Sequence, residues 1–310
     1  MTAYLLFGFG LISAALGGEL FVRGLIGLAR RSGVPVGIIG STLAAFATSS
    51  PELSVAINSA VAGAPELALG DAIGSNIVNV SLVLGLPLLI SGLAAPPDAV
   101  RRDLPVAFLA PLVTAAFLFD GALSRIEAGI MLLLFTAWLV TTALDARRRR
   151  DATAAVLDSE APRIVAARLL GGMVLLFAAG QLIVAGALGV ADALGLDLYL
   201  VGALAVAVGT SAPEIATAVV AQLRRHGEIT LGVILGSNIF NGLFIIPVAA
   251  LIHPIPANFN EAVIGLGFGA VVAALVYPGP KGLMTRRRGA VLILLWFAYI
   301  LAQLQARGAT

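Results

Sequence analysis

Apolar runs follow one another along almost the whole chain, punctuated by short stretches of turn residues and arginines. A run of about 18 residues or more is long enough to cross a hydrocarbon core roughly 30 Å thick. The pattern predicts helices over 3–29, 34–60, 66–91, 103–120, 124–146, 164–190, 197–222, 228–252, 260–278 and 287–305. Sustained period-two alternation is absent, which argues against a transmembrane barrel. The expected class is therefore an all-α membrane protein with ten spans.

Charge agrees with this count. Basic residues occupy alternate connections: Arg30 and Arg31, Arg101 and Arg102, Arg147 to Arg150, Arg224 and Arg225, and Lys281 with Arg286 to Arg288. The connections between them carry almost none, Arg125 excepted. By the positive-inside rule the basic loops are cytoplasmic and both termini face outward, most simply across a cell's inner membrane. The four-arginine run reads first as a topology anchor. With Asp151, Asp158, Glu160 and Pro162 it marks residues 147–163 as a linker between two halves, 1–146 and 164–310.

Composition narrows the class further. Hydrophobic residues make up 59% and charged residues 12% of the 310 positions, against about 45–50% and 25% in soluble domains. The arginines sit at span ends, which leaves no nucleic-acid surface. Cysteine is absent, which removes disulfides and thiolate metal sites. The first residues lack the basic stretch of a signal peptide, so the first segment is expected to be a retained helix.

The two halves repeat each other. Thr48-Ser49-Ser50-Pro51-Glu52 matches Thr210-Ser211-Ala212-Pro213-Glu214, and Gly74-Ser75-Asn76-Ile77-Val78-Asn79 matches Gly236-Ser237-Asn238-Ile239-Phe240-Asn241, every pair 162 positions apart. Five helices per half is an odd number, so the second half enters the membrane from the opposite side. Inverted repeats of this kind place substrate at the midplane, on interrupted helices. Pro51 and Pro213 mark the interruptions, because proline lacks an N–H and clashes with the preceding turn.

Glu52 and Glu214 lie in the middle of apolar stretches, where a carboxylate costs at least about 2.5–3.5 kcal/mol on insertion scales. No Lys or Arg lies between Arg31 and Arg101, or between Arg168 and Arg224, to neutralise them. A mobile cation is the economical counter-charge. Ala45, Thr48, Ser49 and Glu52 share one helical face, as do Ala207, Thr210, Ser211 and Glu214; Ser75 and Asn79, and Ser237 and Asn241, stand four apart. These groups offer hard oxygens, and calcium takes 6–8 of them at about 2.3–2.6 Å. The site reads as calcium, with sodium able to use the same oxygens. For each single Ser, Thr or Asn, ordinary helix-to-helix bonding is an equally good account.

The duplicated motifs resemble the two alpha repeats of the sodium/calcium exchanger family, within the cation/calcium antiporter superfamily. The resemblance implies that Glu52 and Glu214, with the Thr48 and Thr210 main-chain oxygens, hold calcium. It implies that Ser49, Ser211, Ser75, Ser237 and the Ala45 and Ala207 carbonyls shape flanking sodium sites, and Asn79 matches the family asparagine. Ala47 replaces the usual glycine, and Asn241 stands where potassium-dependent relatives carry aspartate. The implied activity is secondary antiport of calcium against sodium by alternating access, with the bilayer and the two ions as its partners, no resident cofactor and no obligatory protein partner. Proton-coupled antiport is the alternative. An intramembrane enzyme lacks any zinc motif or phosphate loop, and inverted halves favour a carrier over a channel.

Glu19 and Arg23 are expected to pair with each other, four apart on the first helix. Glu66 and Glu228 open helices, where an acid suits the dipole. Asp71 has an access path on the outer side as its one candidate role. His226 and His253 are expected at the interface.

Overall fold

The computed structural model describes residues 2–97, 99–153, 160–193, 211–256, 259–278 and 282–308. The first half runs α1 (Thr2–Ser32), α2 (Val36–Thr48), α3 (Ser50–Val61), α4 (Pro65–Ile90), α5 (Leu104–Phe117) and α6 (Arg125–Thr153). The second runs α7 (Pro162–Ala193), α8 (Ala212–Leu223), α9 (Gly227–Ile252), α10 (Phe259–Val276) and α11 (Arg286–Gly308). Each of the ten predicted segments contains helix. The second is split into α2 and α3, and of the seventh only α8 falls within the described residues. The connection between halves is shorter than the sequence suggests: α6 continues through Thr153 and carries Arg147 to Arg150 on helical turns.

The inverted repeat survives in small details. Two-residue strands join the halves at two places: β1 (Leu93–Ala94) pairs antiparallel with β4 (Leu283–Met284), and β2 (Ala122–Leu123) with β3 (Ile255–Pro256). β1 and β3 occupy equivalent positions of the two halves. A π turn opens at Asn79 in α4 and another at Asn241 in α9, again equivalent. Asn76 Nδ2 donates to the Asn238 carbonyl at 3.3 Å, and Asn238 Nδ2 donates to the Asn76 carbonyl at 3.2 Å. That reciprocal exchange is what a two-fold relation between α4 and α9 requires.

Packing rather than burial sets one pair of helices apart. The apolar window of α9 is 94% buried, and those of α1, α6 and α7 are each 28% buried. α1 and α7 pack mainly on each other, antiparallel, and reach the rest chiefly through α8. Their contact is made by small residues seven apart: Gly10 against Ala179 and Ile183, Gly17 against Gly172, and Gly24 against Leu169. A Cβ on Gly172 would come within 2.6 Å of the Phe21 nitrogen, so the backbones touch there only because no side chain intervenes.

The expected Glu19–Arg23 pair forms, and Arg224 beyond α8 also binds Glu19, which ties α1 to the central group. Glu66 and Glu228 stand in the first turns of α4 and α9. His226 contacts Glu228 at 3.0 Å, and His253 contacts the Pro254 carbonyl at 2.9 Å.

Candidate ion-binding site

The interruption between α2 and α3 follows from chain chemistry. The Ser49 N–H still donates to the Ala45 carbonyl at 2.9 Å, and the ladder resumes with the Leu53 N–H on the Ser49 carbonyl at 3.1 Å. Between these bonds Ser49 leaves helical geometry, with φ −86° and ψ 10°. Pro51 has no N–H for the Ala47 carbonyl, and the Ser50 hydroxyl takes the Phe46 carbonyl at 2.9 Å. The carbonyls of Ala47 and Thr48 therefore lie at the break. The second half repeats this geometry: Ser211 has φ −82° and ψ 6°, and Pro213 opens α8.

Restarting the helix puts each glutamate in a first turn, Glu52 in α3 and Glu214 in α8. The positive end of a helix dipole thus faces each carboxylate, which is favourable without neutralising it.

The halves meet at these acids. Ser49 Oγ, from the first half, donates to Glu214 Oε1, from the second, at 3.2 Å. Ser237 Oγ approaches the same oxygen at 3.5 Å. Glu52 is 1% and Glu214 0% exposed; Thr48, Ser49, Ser75, Asn79, Ser211, Ser237 and Asn241 are buried with them. Ala45 is buried too, and its carbonyl already accepts from the Ser49 N–H and, at 3.3 Å, from Thr48 Oγ1. The Ala44 carbonyl, 3.1 Å from Thr48 Oγ1, is the alternative acceptor for the same hydroxyl proton. Thr210 and Ala207 lie outside the described residues.

Several of these oxygens have no hydrogen-bond partner: Glu52 Oε2, Glu214 Oε2, Ser75 Oγ, Asn79 Oδ1, Ser211 Oγ and Asn241 Oδ1. Buried polar atoms are nearly always paired, so a cluster in which acceptors outnumber the one open amide donor, Asn241 Nδ2, among the described residues suits a positive ligand. Asp103 supplies the contrast. It is equally buried, yet Arg102 grips both its oxygens at 2.8 and 3.0 Å and Trp138 Nε1 donates at 2.9 Å. Among the described residues no ion pair involves Glu52 or Glu214. Nor do three or more acidic, His or Cys side chains converge there. Two carboxylates and a shell of neutral oxygens match one divalent cation in charge and in donor hardness.

Three features escaped the sequence reading. Asn76 and Asn238 were quoted only as motif letters, although both are identical at the common offset; their Oδ1 atoms are buried and unpartnered beside the site residues. Thr217, one turn beyond Glu214, has a buried unpartnered hydroxyl; its equivalent is Val55, so the repeat gave no signal. The π turns at Asn79 and Asn241 shift the ladder where the asparagines enter, a common mark of functional positions.

Known proteins show the same organisation. The sequence model of the sodium/calcium exchanger protein family matches residues 2–144 and 164–305. The inner membrane protein YrbG of Escherichia coli is 34% identical over 82% of this chain and 80% of its own. The sodium/calcium exchanger MaX1 of Methanosarcina acetivorans is 26% identical over 96% and 97%. The solved sodium/calcium exchanger from Methanococcus jannaschii superposes with a TM-score of 0.82 at 27% identity, over 97% of this chain and 98% of that one. A likeness that runs through both halves at this coverage makes the chain a membrane cation antiporter rather than an enzyme, and a member of the sodium/calcium exchanger family.

Proposed function

We propose that the chain exchanges calcium for sodium by alternating access, with the cargo held between Glu52 and Glu214 near the bilayer midplane. The observation that supports this is the Ser49–Glu214 bond, which links the break before Glu52 in one half to Glu214 in the other, both glutamates being buried and in no ion pair among the described residues. Thr48, Ser49, Ser75, Asn79 and Ala45, with Thr210, Ser211, Ser237, Asn241 and Ala207, complete the oxygen set. Calcium and sodium compete for overlapping oxygens, and only an occupied site lets α1 and α7 move across the remaining helices. Their extensive packing on each other, with α8 as their main link to the rest, suits a mobile pair. In this reading residues 1–146 and 164–310 are the two halves joined through 147–163. Both termini lie on the outer side of the inner membrane, as the arginine-bearing ends argue.

The test is calcium uptake into proteoliposomes under an outward sodium gradient. Glu52→Gln and Glu214→Gln are each expected to cut uptake about 30-fold or more, because each leaves a divalent cation with one buried carboxylate. Uptake indifferent to the sodium gradient but driven by a pH gradient would transfer the reading to proton-coupled antiport. Uptake untouched by either substitution would end it.

A further inference from the structure

The two halves differ in charge at one level of the interior. Position 71 of α4 is equivalent to position 233 of α9, and the residues there are Asp71 and the fully buried Val233. Asp71, Ser75 and Asn79 stand at i, i+4 and i+8 on one face of α4. Asp71 therefore lies one turn, about 6 Å, nearer the start of α4 than Ser75. It is half-buried and has no ion-pair partner among the described residues. The chain offers no Lys or Arg from 32 to 100 or from 169 to 223 that could supply one. Among the described residues Asp71, Glu52 and Glu214 do not converge on one ion. Further along the same face come Ser75 and Asn79, whose Oγ and Oδ1 have no partner among the described residues.

We propose that Asp71 is a specificity-determining access residue: a carboxylate one turn outside the cargo site that gathers cations, divalent ones above all, from the membrane face at which α4 begins. The opposite face, with Val233 in the equivalent place, lacks this aid, so the transporter is electrostatically one-sided although its fold is two-fold. This rests on the cargo site lying between Glu52 and Glu214. A fixed negative charge on the approach to a site raises the local cation concentration. A divalent ion feels twice the energy of a monovalent one, so its enrichment goes as the square.

Half-saturation for calcium and for sodium is measured separately at the two faces, in vesicles of defined orientation, for wild type, Asp71→Asn and Asp71→Glu. Asp71→Asn is expected to raise the calcium value about 3–10-fold at the face where α4 begins. The sodium value there rises by about the square root of that factor, and both values at the opposite face stay unchanged. Asp71→Glu behaves as wild type, and the gap between wild type and Asp71→Asn narrows as ionic strength rises. The proposal is overturned by no shift at either face, by equal shifts at both faces or for both ions, or by a loss of flux in monodisperse protein that Asp71→Glu does not restore. Those results with active wild type remove the access role alone. Wild type without sodium-driven calcium flux removes the exchange reading and this role with it.

Discussion

The difference between a structural and a functional acid is visible within this one molecule. Asp103 is buried and fully engaged by Arg102 and Trp138. Glu52 and Glu214 are buried to the same degree, but each keeps a carboxylate oxygen open. Asp103→Asn leaves the Arg102 guanidinium without its bidentate partner and is expected to destabilise the protein by about 2–4 kcal/mol. A thermal melt in detergent would register that loss, while calcium half-saturation should stay at the wild-type value. A shifted half-saturation would mean that Asp103 communicates with the cargo site. The two glutamates were legible in the sequence because an acid in an apolar run without a nearby basic residue is rare and costly. Asn76 and Asn238 were not singled out, since an amide in a membrane helix has an ordinary packing role open to it. Only their reciprocal backbone bonds across the halves distinguish them.

Among the elements, the helix breaks and stops decide where side chains point. Pro51 and Pro213 announce the interruptions from sequence; in the first half the chain departs from helix two residues earlier, at Ser49, and Ser211 has the same non-helical geometry ahead of α8. The π turns had no signature to read, because a single extra residue in a helical turn leaves hydrophobic periodicity almost unchanged. The basic run Arg147 to Arg150 was read as linker, yet arginine is a good helix former and α6 simply continues through it. One stop differs between the halves. α3 ends on Gly63 with φ +78°, and the equivalent residue after α8 is Arg225, with φ +61°. Both positions close the same turn: the Ala64 N–H reaches the Ser59 carbonyl at 2.9 Å and the His226 N–H reaches Ala221 at 2.8 Å. A left-handed backbone costs a side-chain-bearing residue about 1–2 kcal/mol. Arg225→Gly is therefore expected to raise stability by about 1 kcal/mol and Gly63→Arg to lower it by a similar amount. Melting midpoints that move the other way would show that the Arg225 side chain earns its conformation through contacts.

At the scale of the whole molecule, duplication makes the fold readable. Ten apolar segments, alternating arginines and two motif pairs at one offset fix the inverted repeat without coordinates, because the bilayer permits few alternatives. What duplication hides is asymmetry, such as Asp71 against Val233. The closeness of α1 to α7 has a fainter trace, since Gly10 and Gly24 of the seam recur at the common offset as Gly172 and Gly186. Their seam gives a mechanical prediction, made clean by the absence of native cysteine. A disulfide between Gly17→Cys and Leu175→Cys, where a Cβ on Gly17 would stand 2.9 Å from the Leu175 Cβ, joins the two helices proposed to move together and is expected to leave exchange intact. One between Gly18→Cys and Val220→Cys, on the contact of α1 with α8, is expected to stop exchange until reduced. Equal inhibition by both would mean that α1 and α7 do not travel together. Behind every mechanical claim stands the shared cation between the two acids, and calorimetric calcium binding to the purified protein tests it most directly. The account expects binding that sodium displaces and that Glu52→Gln and Glu214→Gln each abolish; calcium binding that persists in the doubly substituted protein would contradict it.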